Sequence, residues 1–256
     1  IAEKRTPNLK KLYLWEPSAY KDTTNSYTLY NGIVLGISGL LALFLTILFV
    51  VKGSAMFPAT ACLAWGVLAY ICVDFGFWNK VVNAPVSNDP FWRACAEVFV
   101  AASFIIFLYA YLSLNRWHAK LSLIAVGWMM GLIIVMGSAF FVPEIAAGIA
   151  RISIALTIAI GGIVVLLLSV KKYDRAIMLI PTWILISFWT IGAGMTITGQ
   201  IENDVIQPAL GGGLVLFILL LCFTVMQHAF AGGAFAQGLV SESERSALAL
   251  TGSGDM

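Results

Sequence analysis

The chain has 256 residues, of which 60% are apolar and 11% charged, with a mean hydropathy of +0.92, whereas a soluble domain carries about a quarter charged residues. So few Lys, Arg, Asp and Glu cannot cover a water-facing surface, which excludes a soluble enzyme and makes lipid the main solvent. A formal charge of +2 from 15 basic and 13 acidic residues, with no long Lys/Arg run, excludes nucleic acid as a partner.

In chain order, residues 1–26 are polar, with Pro7, Pro17 and the run Leu12–Trp15. No initiator Met and no basic-then-apolar signal segment precede the first apolar stretch. Residues 1–26 therefore read as the end of an exported, periplasmic segment of a longer chain, Leu9–Trp15 being the last strand of its domain. Charges then punctuate seven apolar stretches, Tyr27–Val51, Ala55–Trp78, Phe91–Leu114, Ala119–Val142, Ile145–Val170, Ala176–Thr198 and Val205–Phe230. Each reaches the roughly 20 residues that an α-helix needs to cross a hydrocarbon core of about 30 Å. No stretch alternates apolar and polar residues for the length of a barrel strand. The predicted fold is all-α integral membrane, a seven-transmembrane helix bundle, and an odd number of spans puts its two ends on opposite sides.

Basic residues set the orientation. The first, third and fifth connections carry Lys52, then Arg116 and Lys120, then Lys171, Lys172 and Arg175, while the second, fourth and sixth carry Lys80, Asp89, Glu202 and Asp204. This places the N-terminus outside and the C-terminus in the cytoplasm of a multi-pass inner-membrane protein, although Lys10, Lys11 and Lys21 pull the other way. After the last span, Gln237–Leu250 is rich in Ser, Glu and Ala and is followed by Thr251–Met256, Thr-Gly-Ser-Gly-Asp-Met. Residues 27–235 thus form the membrane domain, and 236–256 read as a cytoplasmic connector towards a further domain.

Within the spans, Gly32-x-x-x-Gly36 and Gly127-x-x-x-Gly131 have the spacing that aligns small residues on one face for close helix packing. Gly211-Gly212-Gly213 and Gly192-Ala193-Gly194 mark packing or hinge points, and Pro181 and Pro208 fall near span starts, where a missing N–H costs least. Cys62, Cys72, Cys95 and Cys222 lie in apolar stretches with no metal-ligand spacing, and read as packing residues.

Ionisable residues inside spans are more informative, because one left in hydrocarbon at mid-helix costs at least about 2.5–3.5 kcal/mol. Asp74 stands near the outer end of the second span, Arg93 and Glu97 at the outer start of the third, and Glu144 and Arg151 at the outer start of the fifth. Spacings of four and seven put each pair of the third and fifth spans on one helix face. The two faces and Asp74 would then gather two cations and three anions into a ligand-binding pocket open to the outside. The alternative is a set of interfacial residues and local ion pairs that satisfy one another.

Several chemistries fail on the residues. A retinal Schiff base needs a Lys inside the bundle, and every Lys lies in a loop or tail. Haem ligation would fall to His118 and His228 near the inner ends of spans. Neither Gly-x-Ser-x-Gly nor His-Glu-x-x-His occurs, so the segment is expected to be no enzyme and to hold no metal or other cofactor. A small-solute transporter is the competing reading, but the halves of the chain do not match and its polar residues sit at one end instead of at mid-membrane.

The opening of the first span, Tyr27-Thr-Leu-Tyr-Asn-Gly-Ile-Val-Leu-Gly-Ile-Ser-Gly-Leu-Leu-Ala-Leu-Phe, with short loops throughout, resembles the bacterial seven-transmembrane receptors with diverse intracellular signalling modules. The likeness covers about residues 27–235 and rests on layout more than on any single motif. It implies a membrane sensor and transducer. An exported ligand-binding domain would precede the bundle and a cytoplasmic output domain would follow in cis, with Ser241–Met256 looking like the lead-in to a PAS domain ahead of cyclic-di-GMP turnover or kinase modules. The partners this implies are membrane lipid, an extracytoplasmic ligand or exported domain, the output domain, and a second copy in a homodimer, as such outputs commonly use.

Overall fold

A computed structural model describes residues 17–51, 54–83, 85, 88–114, 119–200 and 209–227. Its helices are α1 (Pro17–Val51), α2 (Met56–Asp74), α3 (Phe77–Val82), α4 (Asp89–Tyr111), α5 (Ala119–Ser138), α6 (Pro143–Val170), α7 (Asp174–Ile197) and α8 (Ala209–Gln227). No strand occurs among the described residues. All but the short α3 are long and apolar enough to cross a membrane, giving seven spans. The expected strand Leu9–Trp15, the histidines, Pro208 and the connector after the last span lie outside the described residues.

Helix ends follow local chemistry. Pro17, Pro90 and Pro143 sit in the first turns of α1, α4 and α6, where the missing N–H would have had no intrahelical acceptor. α6 and α7 end in matching caps. The Tyr173 N–H donates to Leu168 O at 3.1 Å and the Gln200 N–H to Met195 O at 3.0 Å, each closing over a left-handed residue, Lys172 or Gly199. The second span stops at Asp74, four residues short of the predicted Trp78, because Gly76 adopts φ 67° and turns the chain into α3. The fourth stops at Ser138 instead of Val142, in a turn that leads into Pro143. In the other direction, α1 starts at Pro17, so residues 17–26, read from sequence as part of the exported segment, are helical. Pro181 lies inside α7 and not at its start. The helix continues through it, as neighbouring helices in a membrane bundle allow.

Helix α4 is the hub, packing against α2, α5 and α6; α1 packs on α2, and α6 on α5 and α7. Helix α8 closes the bundle. The Phe217 ring stacks on Phe104 of α4 with centroids 5.7 Å apart, and Trp189 Nε1 of α7 donates to Leu210 O at 2.8 Å. The core is built from Phe104, Phe107, Tyr111, Trp183, Phe217 and Leu221. Among its described side chains, helix α1 buries only a narrow stripe, Val34, Ser38, Ala42 and Leu45, the i, i+4 and i, i+3 spacings of one helix face. On α5, Leu132 alone is buried among the described residues.

Outward faces carry Leu40, Val50, Leu123, Ile134 and Phe188, all exposed. Such an area would drive aggregation in water. Against hydrocarbon it is the required surface, since helices satisfy their own backbone groups.

Candidate functional site: a charged cluster at one end of the bundle

Helices α1, α4, α6 and α8 begin at the end of the bundle where α2 and α7 finish; this is called the entry end. Four of the five ionisable residues singled out above meet there. Arg151, eight residues into α6, donates from Nε and Nη2 to Glu97 Oε2 and Oε1 of α4, both at 2.8 Å. One turn earlier on α4, Arg93 Nη2 donates to Asp74 Oδ1 of α2. The hub helix is thereby tied to a neighbour on either side by an ion pair.

Burial is unequal within each pair. The Glu97 side chain is 6% exposed and that of Arg151 40%, while Asp74 and Arg93 show 14% and 44%. Burying a carboxylate costs several kcal/mol by order of magnitude unless it is paired and hydrogen-bonded. The two-pronged guanidinium contact is the geometry that best offsets this. Both arginine side chains remain partly exposed beyond their ion pairs. Tyr70, one turn before Asp74 on α2, lies within electrostatic reach of all four charges, and Tyr27 of α1 within reach of Asp74.

Glu144 does not join them. It is exposed in the first turn of α6, about 10 Å of helix from Arg151. There its carboxylate meets water and the favourable N-terminal end of the helix dipole. Sequence spacing placed it on the right face but two turns too far out.

An aromatic and polar cap covers this end. Asn79 Nδ2 of α3 donates to Asp89 Oδ1 at the start of α4. Trp78 and Trp92 pack with ring centroids 5.5 Å apart, and Phe91 contacts both Trp92 and Phe140. Trp78 Nε1, Trp92 Nε1 and, on α1, Asn31 Oδ1 are buried without a hydrogen-bond partner. Buried polar atoms are nearly always satisfied, and of the four orphans among the described residues three lie at this end, the fourth being Tyr111 Oη at the far end of α4. Sequence reading missed Tyr70, Trp78, Trp92 and Asn31 in this role. The available signal was Tyr70 at i−4 from Asp74.

The glycines separate into two groups. A Cβ added at Gly32, Gly36, Gly127 or Gly131 would meet nothing within 4 Å. The packing expected of these residues therefore finds no partner among the described residues, because all four face outward. At Gly211, Gly212 and Gly213 an added Cβ would lie 3.1 Å from Phe75 Cζ, 2.5 Å from Tyr30 Oη and 2.9 Å from Trp189 Cδ1. These three positions bring the entry-end turn of α8 against aromatics from α7, α1 and the end of α2. Two glycines not singled out from sequence are as tight: Gly161 and Gly162 lie under the Trp183 indole, an added Cβ at Gly161 standing 2.5 Å from Trp183 Cζ2.

Among the described residues, no group of three or more His, Cys, Asp or Glu stands together as a metal site would require. The arrangement is one of charged contacts between helices, exposed on one side to whatever lies beyond the entry end.

Neither the curated proteins nor the solved structures contain a significant match to the chain. Residues 27–228 match the model of a family described as 7TM diverse intracellular signalling. With that match over most of its length and seven helices of membrane-crossing size, the chain belongs to this family of multi-pass membrane sensors.

Proposed function

We propose that the bundle lies in the bacterial inner membrane with its entry end outside, and that it passes an extracytoplasmic signal to a cytoplasmic output module by rearrangement of its helices. The output reaction is cyclic-di-GMP turnover or phosphotransfer, in a domain joined through the segment after Phe230. The observation that carries this reading is the pair of ion bridges, Glu97–Arg151 and Asp74–Arg93, linking α4 to α6 and to α2 at the entry end.

Two packings of the same helices that differ in these contacts form a two-state element. A ligand, or the surface of an exported domain, that competes for the exposed faces of the arginines prefers the state in which the bridges are open. To reverse the populations fully it must prefer that state by about 5.5 kcal/mol. The close contacts of Gly211–Gly213 make α8 sensitive to the positions of Phe75, Tyr30 and Trp189, and α8 leads towards the output.

The coding sequence beyond Met256 tests the assignment directly. A PAS, cyclase, phosphodiesterase or kinase module supports it, and a stop codon there overturns it. In the protein with its output domain, Arg151→Ala is expected to lock or abolish the response while leaving membrane insertion intact; a normal response removes the ion bridges from the mechanism. Reconstituted vesicles are expected to move no solute, and solute flux would establish a transporter instead.

A further inference from the structure

Between α4, α5 and α6 lies a cavity of about 110 Å³, unrelated to the charged cluster. Its floor is the buried Leu108 of α4 and Leu112 just past the end of that helix, and its rims are Ile124 and Trp128 of α5 and Leu156 and Ile160 of α6, all four exposed. It therefore opens sideways, towards the surrounding hydrocarbon. Thr157 in its wall has already committed its hydroxyl to Ser153 O at 2.7 Å, so the lining asks for no polar partner. An apolar cavity of this order stays dry and takes an apolar guest. From Leu121 to Trp128 it runs about 10 Å along α5, within the depth of one leaflet, half of a core of about 30 Å.

Two further observations identify the guest. The cavity starts at Leu114 and Leu121, at the end of the bundle opposite the charged cluster, where the exposed Lys120 immediately precedes Leu121 and the exposed Lys172 follows the end of α6. Basic side chains at the membrane surface attract anionic headgroups. Secondly, the half of α5 nearest Lys120 contributes no fully buried residue among those described, whereas the other half is held by Leu132 and its neighbours Met129, Val135 and Met136. Protein contact beside the cavity is thin, resting on the partly buried Ala125 and on the Ser122 hydroxyl's 3.2 Å hydrogen bond to Tyr109 Oη.

We propose that this cleft binds one anionic phospholipid, with an acyl chain seated between α5 and α6 and its phosphate at Lys120. The lipid completes the packing of α5 and makes the arrangement of spans three to five dependent on membrane composition.

The test uses the protein reconstituted in vesicles doped with phosphatidylglycerol that carries a photoreactive group in its acyl chain. Labelling is expected to concentrate on the peptides that contain Leu112, Ile124 and Leu156, and to be competed by unlabelled phosphatidylglycerol better than by phosphatidylcholine. Ile160→Trp, which fills the cavity mouth, is expected to cut this labelling by about fivefold or more, the scale of a modest loss in binding free energy. Ile163→Trp, exposed on α6 but outside the cavity, should leave it unchanged, and Lys120→Glu should abolish the preference for the anionic lipid. Labelling spread evenly over the exposed faces of α1 and α7, or unaltered by Ile160→Trp, overturns the site. Equal competition by the two lipids overturns the anionic assignment. Leu156→Phe provides a second filling variant should Ile160→Trp fail to insert, and is read by the same outcomes.

Discussion

Arg151→Ala is the most informative perturbation, because the unequal burial of the Glu97–Arg151 pair predicts an asymmetric energy cycle. Removing the guanidinium leaves the Glu97 carboxylate, 6% exposed, with neither of its 2.8 Å donors. Deleting one partner of a fully buried pair costs about 3–5 kcal/mol. Since Arg151 is 40% exposed, water enters the vacated space and solvent screening lowers the expected loss to about 2–3 kcal/mol. Glu97→Ala is the cheaper change, at about 1–2 kcal/mol, because the freed guanidinium already reaches solvent. In the double variant no orphan carboxylate remains, so the two losses should fall short of additivity by at least about 1 kcal/mol. Reversible unfolding in mixed micelles, followed by tryptophan fluorescence, measures all four corners of the cycle. Losses that add within about 0.5 kcal/mol, or a Glu97→Ala cost above that of Arg151→Ala, would refute the argument that a buried carboxylate is being held by a half-exposed cation.

Gly161→Ala directs a methyl at the Trp183 indole, 2.5 Å from Cζ2, with Leu108 Cδ1 3.0 Å away; the expected loss is about 1–3 kcal/mol, while Gly127→Ala, with nothing within 4 Å, should shift stability by less than about 0.5 kcal/mol. The same micelle unfolding assay compares them. Trp183→Phe removes the Nε1 donation to Ile158 O, made at 3.0 Å, and should cost about 1 kcal/mol, but in the Gly161→Ala background part of this cost should vanish because the clash goes with the indole. For orientation, a cysteine introduced at Asn83, in the turn after α3, should react with a membrane-impermeant thiol reagent added outside intact cells, and one at Lys172 should react only after lysis.

The seven spans were legible because charge is the punctuation a bilayer imposes: a Lys or Asp between two apolar runs marks a return to water. Which span is central was not legible. Helices α4 and α5 are both apolar enough to cross a membrane, yet α4 packs against α2, α5, α6 and, through Phe104, α8, while α5 keeps one buried residue among those described. Lipid tails and protein interiors are equally apolar, so burial leaves no mark in hydropathy. The Gly-x-x-x-Gly pattern fails for the same reason. It reports that Gly32 and Gly36 share a face, but not whether another helix stands opposite, whereas the adjacent pair Gly161–Gly162 sits where a Trp ring does. Asp74, Arg93, Glu97 and Arg151 were legible as residues because their cost in hydrocarbon demands a partner. Their pairing was not. Arg93 and Glu97, four apart on one helix, are natural partners for one another, but the bundle sends one to α2 and the other to α6.

That division has a mechanical consequence. An Arg93–Glu97 pair confined to α4 would stabilise one helix and carry no information about its neighbours. Sent outward, the two side chains hold α4 against α2 and α6 at one level of the membrane, so sliding or rotating α4 breaks both contacts together. Seven residues beyond Glu97, along the same face of the same helix, Phe104 stacks on Phe217, and the entry-end turn of α8 rests on Phe75 and Trp189 through glycines that have no side chain to yield. Closely packed interfaces of this kind respond by switching between discrete packings instead of bending gradually. Under the proposed mechanism, a displacement at the charged cluster would be passed to α8 through the hub helix, by the Phe104–Phe217 stack, and through α2, by the Phe75–Gly211 contact. If this is the route, Phe104→Ala should uncouple α8 from the ion bridges while leaving the bridges formed. Distances between spin labels on α6 and α8 would then no longer respond to Arg151→Ala, and a response undiminished in the Phe104→Ala background would place the coupling elsewhere.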